Sequence, residues 1–347
     1  YYSTGRFLYH VDKTTWQSIP LCSRPNCLHE KDAVPYDCEA FFFFAHSPFL
    51  HDGALYALVQ PLSIDEAHGG RRFELIRMGL DGQDRKTLWS IKTDERIDQC
   101  IAHRGTLYYI QRSYGEGYDS RTTLFRAPIS GKKPPERLLT FEPDASVSNL
   151  TAYGDSLYWL STVFGDGSSH VLKSRVIERL DLRTGERSQL SPLREDDFCL
   201  YLLFLRDGIC VAEHERYAVD TEFDPEKLLW RGSLDGSDAR ALFSARGVFG
   251  SDGERLYSWS LDWGGSGAPE EIAVYSAEGE KLDALDLSRF PCGKIAMLAL
   301  FPSAGEQVLF SVQPRDDLQT WVLYRFPKSA IGSGAIEPVE VGRYAER

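Results

Sequence analysis

Apolar and polar positions alternate along this chain in short runs, and two patterns of such runs recur. In the first, a polar turn precedes an apolar-aromatic run: HDGALYAL (51–58), HRGTLYYI (103–110), YGDSLYWL (153–160), RDGICVAE (206–213), DGERLYSW (252–259) and GEQVLFSV (305–312). Anchored on Tyr56, Tyr108, Tyr158, Cys210, Tyr257 and Phe310, the copies lie 52, 50, 52, 47 and 53 residues apart. In the second, an apolar run leads into a reverse turn: LYHVDKTTW (8–16), LIRMGLDGQ (75–83), LFRAPISGK (124–132), IERLDLRTGE (177–186), LWRGSLDGS (229–237), VYSAEGE (274–280) and LYRFPKSA (323–330). Each of these turns is followed by another apolar run, such as KTLWSI or RALFSA.

Period-two alternation bounded by Gly and Asp turns predicts strands and hairpins. The two patterns interleave, so one unit is four short strands in about 50 residues. No sustained helical spacing of apolar residues runs alongside. A twisted four-stranded sheet cannot cover both of its faces alone, and repetition lets neighbouring sheets cover one another. The expected fold is therefore all-β, a β-propeller of four-stranded antiparallel blades. The second pattern occurs seven times and the first six times, with Tyr1–Gly5 as the tail of a further copy, which favours seven blades. The alternative is six blades, with an N-terminal hairpin completing a shared one. Residues 1–347 read as a single propeller domain.

One step breaks the rhythm. Leu8 to Leu75 spans 67 residues, whereas the other steps between copies of the second pattern run from 45 to 53. The excess corresponds to an inserted loop at 22–38, CSRPNCLHEKDAVPYDC, which carries three of the seven cysteines and a histidine. Cys22, Cys27, His29 and Cys38 are the types and number of donors that close a four-coordinate structural zinc site, and a loop too small for its own core gains order from a metal. The spacing is not the usual C-x2-C knuckle. A disulfide of Cys22 or Cys27 with Cys38 is the second reading, and three free thiols the third. Cys100, Cys199, Cys210 and Cys292 fall in or beside strands and read as small buried hydrophobes.

The segment PLCSRPNCLHEKDAVPYDCEAFFF resembles the PLC-x-x-P-x-C-x-H…C-x-A stretch of uncharacterised β-propeller lipoproteins of anaerobic Gram-positive bacteria, whose TolB-like repeats are of the DG-x-LY kind. The residues that match are Pro20, Leu21, Cys22, Pro25, Cys27, His29, Cys38 and Ala40. The resemblance implies an extracytoplasmic, cell-surface protein. It would be held to the membrane by a lipid on a leader outside this sequence. No activity comes with it.

Composition narrows the partners. The net charge is −12, with Arg71-Arg72 and Lys132-Lys133 among only scattered basic pairs, so a nucleic acid is not expected. No run approaches the ~18 apolar residues of a membrane helix. There is no G-x-S-x-G elbow, P-loop, dinucleotide fingerprint or H-E-x-x-H. VDKTTWQ (11–17) has a faint likeness to the Asp-box turn of sialidase propellers, but it occurs once and reads as a hairpin turn.

Gly-rich acidic segments follow the first-pattern strands: SYGEGYDS (113–120), FGDGSSH (164–170) and DWGGSGAPEE (262–271), with 60–70 and 213–227 in equivalent places. Tyr114, Tyr118, Asp119, Asp166, Glu215 and Trp263 are the candidates for holding a sugar or a peptide at a loop face. Ordinary solvated loops are the plainer reading of the same residues. The expected role is a binding or scaffold module for a protein, peptide or carbohydrate. The alternative is a carbohydrate hydrolase or lyase that uses two loop carboxylates. A purely structural interaction domain is the third reading.

Overall fold

The chain forms seven antiparallel sheets in succession, and the computed structural model describes residues 1–3, 6–24, 27, 38–46, 48–61, 71–93, 95–114, 120–142, 145–164, 172–190, 197–215, 227–259 and 271–345 of it. The first sheet holds β1 (Tyr2–Ser3), β2 (Leu8–Val11) and β3 (Ser18–Pro20). The second holds β4 (Phe44–Ala45), β5 (Phe49–His51), β6 (Ala54–Gln60), β7 (Arg71–Met78) and β8 (Lys86–Thr93). The third runs through β9 (Arg96–His103), β10 (Thr106–Tyr114), β11 (Ser120–Pro128) and β12 (Glu136–Thr140). The fourth comprises β13 (Ala145–Tyr153), β14 (Ser156–Phe164), β15 (Leu172–Asp181) and β16 (Arg187–Leu190).

β17 (Asp197–Leu205), β18 (Gly208–Glu215), β19 (Lys227–Gly232) and β20 (Arg240–Ala245) make the fifth sheet. The sixth is β21 (Val248–Ser251), β22 (Leu256–Trp259), β23 (Glu271–Tyr275) and β24 (Lys281–Asp286). The seventh is β25 (Ile295–Ala304), β26 (Gln307–Pro314), β27 (Thr320–Pro327) and β28 (Val339–Ala345). The protein is a seven-bladed β-propeller. The six-bladed alternative fails because Tyr2–Ser3 pairs with Leu8–Tyr9 in a sheet of its own. Helix among the described residues is limited to the 3-10 turns Leu287–Arg289 and Lys328–Ala330. None of the described helices is long and apolar enough to cross a membrane.

By its internal contacts the chain divides into two compact units. One takes in Tyr1–Leu157 and Ser161–Lys173, the other Tyr158–Leu160 and Ser174–Glu346. In each, the apolar run of the first pattern becomes a central strand of its sheet. Tyr56, Tyr108, Tyr158, Cys210, Tyr257 and Phe310 are all buried, as recurrence at one structural position requires. Rings pack across strands: Tyr109 stacks on its register partner Phe125 at 5.2 Å in the first unit, and Phe310 diagonally on Phe326 at 5.6 Å in the second.

The turns follow their sequences. Asp52-Gly53 and Arg104-Gly105 adopt positive φ at both positions, the backbone of a tight two-residue hairpin. At VDKTTWQ, the Asp12 carboxylate accepts the N–H groups of Thr14 and Thr15 at 2.7 and 2.9 Å between β2 and β3, so the hairpin reading holds.

The inner strand of the second sheet is interrupted. Ala45 pairs with Val59 and Phe49 with Tyr56, so the β4–β5 side carries one residue more than β6. A bulge of this kind redirects a side chain, and His46 sits in it. Its ring is buried, donates to the Ile97 carbonyl, and leaves Nε2 sealed without a partner. Burial, with Arg96 nearby, pushes the imidazole down to about 4.

The unfolded chain takes up this proton near pH 6.5 and the folded one does not until about pH 4, so stability falls as pH drops through that window. Between pH 7 and 5 the loss from this one group is about 2 kcal/mol. Urea midpoints at the two pH values should show the wild type losing that much more than His46→Phe. An equal loss in both proteins would contradict the assignment.

Candidate functional site

The described ends of the inserted loop are tied to the second sheet and to the core of the first unit. Leu21 leaves β3 with its N–H on the Leu8 carbonyl (2.9 Å), and Leu8 in turn donates to Ala40 (3.0 Å). Phe42 returns to Arg6 at 2.9 Å. Leu8, Leu21, Phe42, Ala45, Leu55 and Met78 form one buried apolar cluster beneath these strands. The two roots of the loop therefore enter as packed, hydrogen-bonded chain, although the loop is long.

On these roots the three cysteines converge. The sulfurs of Cys22, Cys27 and Cys38 all lie within 4.8 Å of one another, Cys38 buried and the other two half-buried. None of the three is joined in a disulfide. A tetrahedral zinc with bonds near 2.3 Å places its sulfurs about 3.8 Å apart, so the arrangement is close to that of a bound metal. A disulfide would take two of the three and leave the third beside it.

Backbone donors already point at the sulfurs. Burial alone would raise the Cys22 thiol. The N–H groups of Arg24 and Glu39, together with the neighbouring thiols, outweigh it and carry Cys22 below its ordinary value. Burial takes Cys38 the other way, up to about 12, against an N–H from Ala40 and reinforced by the charge of Cys22. Thiolates gathered this closely repel one another, and a cation among them offsets that repulsion. The cluster can hold a metal through these three sulfurs.

Two residues that the sequence pattern did not single out complete the surroundings. The Glu39 carboxylate accepts from Ser23 N (3.2 Å) and Ser23 Oγ (2.7 Å) and pairs with Arg24 Nε at 3.6 Å, folding the 22–24 stretch back on itself. Arg85 reaches over from the turn between β7 and β8. It donates to the Leu21 carbonyl at 2.6 Å, to the Glu39 carbonyl, and to Gly82 in its own turn at 2.9 Å. Gly82 has φ +81°, and a Cβ there would lie 3.2 Å from the Leu21 carbonyl oxygen, so only glycine lets this turn approach the loop so closely.

Adjacency to Cys38 was the only sequence signal for Glu39. Arg85, 46 residues beyond Glu39, had none. His29 lies outside the described residues, so the fourth donor expected from the sequence is not placed. Of the remaining cysteines, Cys210 is fully buried as expected, its thiol pushed by burial up to about 12. Cys100 and Cys292 are only partly buried, each packed against the edge of an apolar cluster. The side chain of Cys199 falls outside the described residues.

The loop-face candidates fare differently. Tyr118, Asp119, Asp166 and Trp263 lie outside the described residues. The backbones of Tyr114 and Glu215 are placed: Tyr114 ends β10 opposite Ser120, and Glu215 ends β18 opposite Asp197. Each stands at the last position of the second strand of a four-stranded sheet, where the chain leaves for the third strand.

No family model matches this chain, and no curated protein does. Solved structures do. A puromycin-hydrolyzing peptidase of Mycobacterium tuberculosis is similar with TM-score 0.57 at 13% identity, over 96% of this chain and 49% of that one. The β-propeller domain of the trilobed protease of Pyrococcus furiosus is similar with TM-score 0.54 at 14% identity, over 87% and 85%. The acylaminoacyl peptidase of Pyrococcus horikoshii gives TM-score 0.53 at 11% identity, over 86% and 46%. This chain thus spans about half the length of the two peptidases. At these identities the likeness is one of fold, and this chain shares the β-propeller architecture of the trilobed protease domain.

Proposed function

We propose that this chain is an extracytoplasmic binding or scaffold module whose propeller presents loops to a protein, peptide or carbohydrate ligand, with one structural zinc held by Cys22, Cys27, His29 and Cys38. One observation carries the binding role. In five successive sheets the connection from second to third strand is long, between Gln60 and Arg71, Tyr114 and Ser120, Phe164 and Leu172, Glu215 and Lys227, and Trp259 and Glu271. The first-to-second-strand turns are shorter, two residues at Asp52-Gly53 and Arg104-Gly105, while third-to-fourth connections such as that from Pro128 to Glu136 span seven. Within each unit, sheets that lengthen the connection from second to third strand support ligand binding at that end of their strands.

The net charge of −12 favours cationic or neutral ligands over polyanions. A cell-surface location follows the resemblance of the cysteine segment to that of propeller lipoproteins. The zinc reading rests on the convergence of three thiols and on the donor types.

The test is binding of the intact protein to immobilised cell-wall polysaccharides and to a peptide array, alongside the triple variant Tyr114→Ala, Glu215→Ala, Trp263→Ala. Saturable binding to one class, weakened at least about tenfold in the variant, is expected, since aromatic anchors carry most of such an interface. Absence of saturable binding to either class would overturn the reading. Cleavage of a polysaccharide would replace it with the hydrolase.

A further inference from the structure

A guanidinium is expensive to take out of water unless an anion accompanies it, and Arg85 breaks that expectation. Its side chain is half-buried, and burial pulls its pKa below the ordinary value, against the raising effects of Glu39, Cys22 and Cys38. Every hydrogen bond it makes goes to a neutral carbonyl, those of Leu21, Glu39 and Gly82, and its guanidinium carbon lies 5.8 Å from the centre of the Phe42 ring. Among the described residues it has no carboxylate within ion-pair distance. Glu39, whose backbone it grips, spends its own carboxylate on Ser23 and Arg24. One positive charge is left over, and its two longest reaches end on the carbonyls immediately before Cys22 and immediately after Cys38.

We propose that Arg85 is the counter-charge of the thiol cluster: it positions Cys22 and Cys38 and balances the single negative charge that three thiolates and one divalent metal ion carry together. The inference rests on the zinc reading above and deepens it. Three thiolates contribute −3 and the ion +2, so any neutral fourth donor leaves −1, and Arg85 brings the assembly to zero. The three thiol protons leave to solvent as the metal enters. The same arithmetic names the class of ion. A monovalent soft cation on three thiolates would leave −2, which one guanidinium does not offset, so the cluster suits a dication with a taste for sulfur, zinc foremost. Arg85 touches no metal in this scheme. It acts through the two carbonyls it grips and through its field, as outer partners of metal sites do.

The experiment is zinc affinity by chelator competition on the whole chain, with stoichiometry by native mass spectrometry. The variants are Arg85→Gln, Arg85→Leu and Arg85→Lys, with the exposed Arg343→Gln as a control for loss of one arginine charge. Wild type should bind one zinc. The two uncharged variants should bind about 10- to 100-fold more weakly, the usual loss for a second-sphere partner. Arg85→Leu keeps an apolar contact with Phe42 and serves should Arg85→Gln fold poorly. Arg85→Lys keeps the charge without the fork and should recover most of the affinity, and Arg343→Gln should match wild type.

If wild type binds zinc and the uncharged variants bind it equally well, the counter-charge role is overturned while the metal site stands. Equal loss in Arg85→Lys and Arg85→Gln also overturns it, because the clamp rather than the charge would then matter. A wild type that takes up no zinc removes the metal reading itself, and this inference with it.

Discussion

Replacing Asp252 by alanine is expected to destabilise the protein by about 3–5 kcal/mol, the usual cost of orphaning one member of a buried ion pair. The Asp252 side chain has no solvent exposure, and four donors fill its two oxygens. One oxygen takes the N–H groups of Glu254 and Arg255 at 2.9 and 2.8 Å; the other takes the Tyr257 hydroxyl at 2.9 Å and Lys328 Nζ at 3.2 Å. Burial would raise this carboxyl, but the two N–H groups, the Tyr257 hydroxyl and the lysine hold it below the ordinary range. Lys328 is itself only 11% exposed, and Glu254, the other acid within ion-pair distance of it among the described residues, is 3.7 Å away and 59% exposed.

Removing Asp252 thus strands a cation, frees two backbone donors and leaves Tyr257 without its acceptor at once. The double variant Asp252→Ala, Lys328→Met should regain part of the loss, since the stranded charge goes too. Urea midpoints measure both. A single-variant loss under about 1 kcal/mol would show that water reaches the pair.

The second large effect concerns the thiol cluster. A metal bound at a free concentration about a thousand times its Kd contributes about 4 kcal/mol to folding. For a chain of this length that corresponds to about 5 °C in Tm. A strong chelator should lower the melting temperature of wild type by that order, and Cys38→Ser should start from the lowered value and respond little to chelator. The same melting temperature in wild type with and without chelator would mean that no metal contributes to folding.

The repeat was legible because its residues do one job over and over. A buried Tyr, Cys or Phe at each copy of the first pattern follows from the need to fill the same place in each sheet, and the DG before Tyr56 and the RG before Tyr108 from turns with positive φ at both positions. The cysteine insertion was legible as a lengthened step between Leu8 and Leu75. The sequence could not show what depends on long-range approach. Asp252 and Lys328 are 76 positions apart, and neither belongs to a local motif. Arg85 looks like any residue after a turn until Leu21 and Glu39 are brought to it. The bulge at His46 arises from a one-residue mismatch between β4–β5 and β6, which alternation alone does not reveal.

The account turns on Cys22, Cys27 and Cys38 gathering around a cation. Its most direct test is metal analysis of the purified protein after equilibration with zinc, together with thiol titration in denaturant. The account predicts one zinc per chain and all seven cysteines reactive once unfolded. No bound metal, with fewer than seven reactive thiols, would contradict it and put a disulfide in its place.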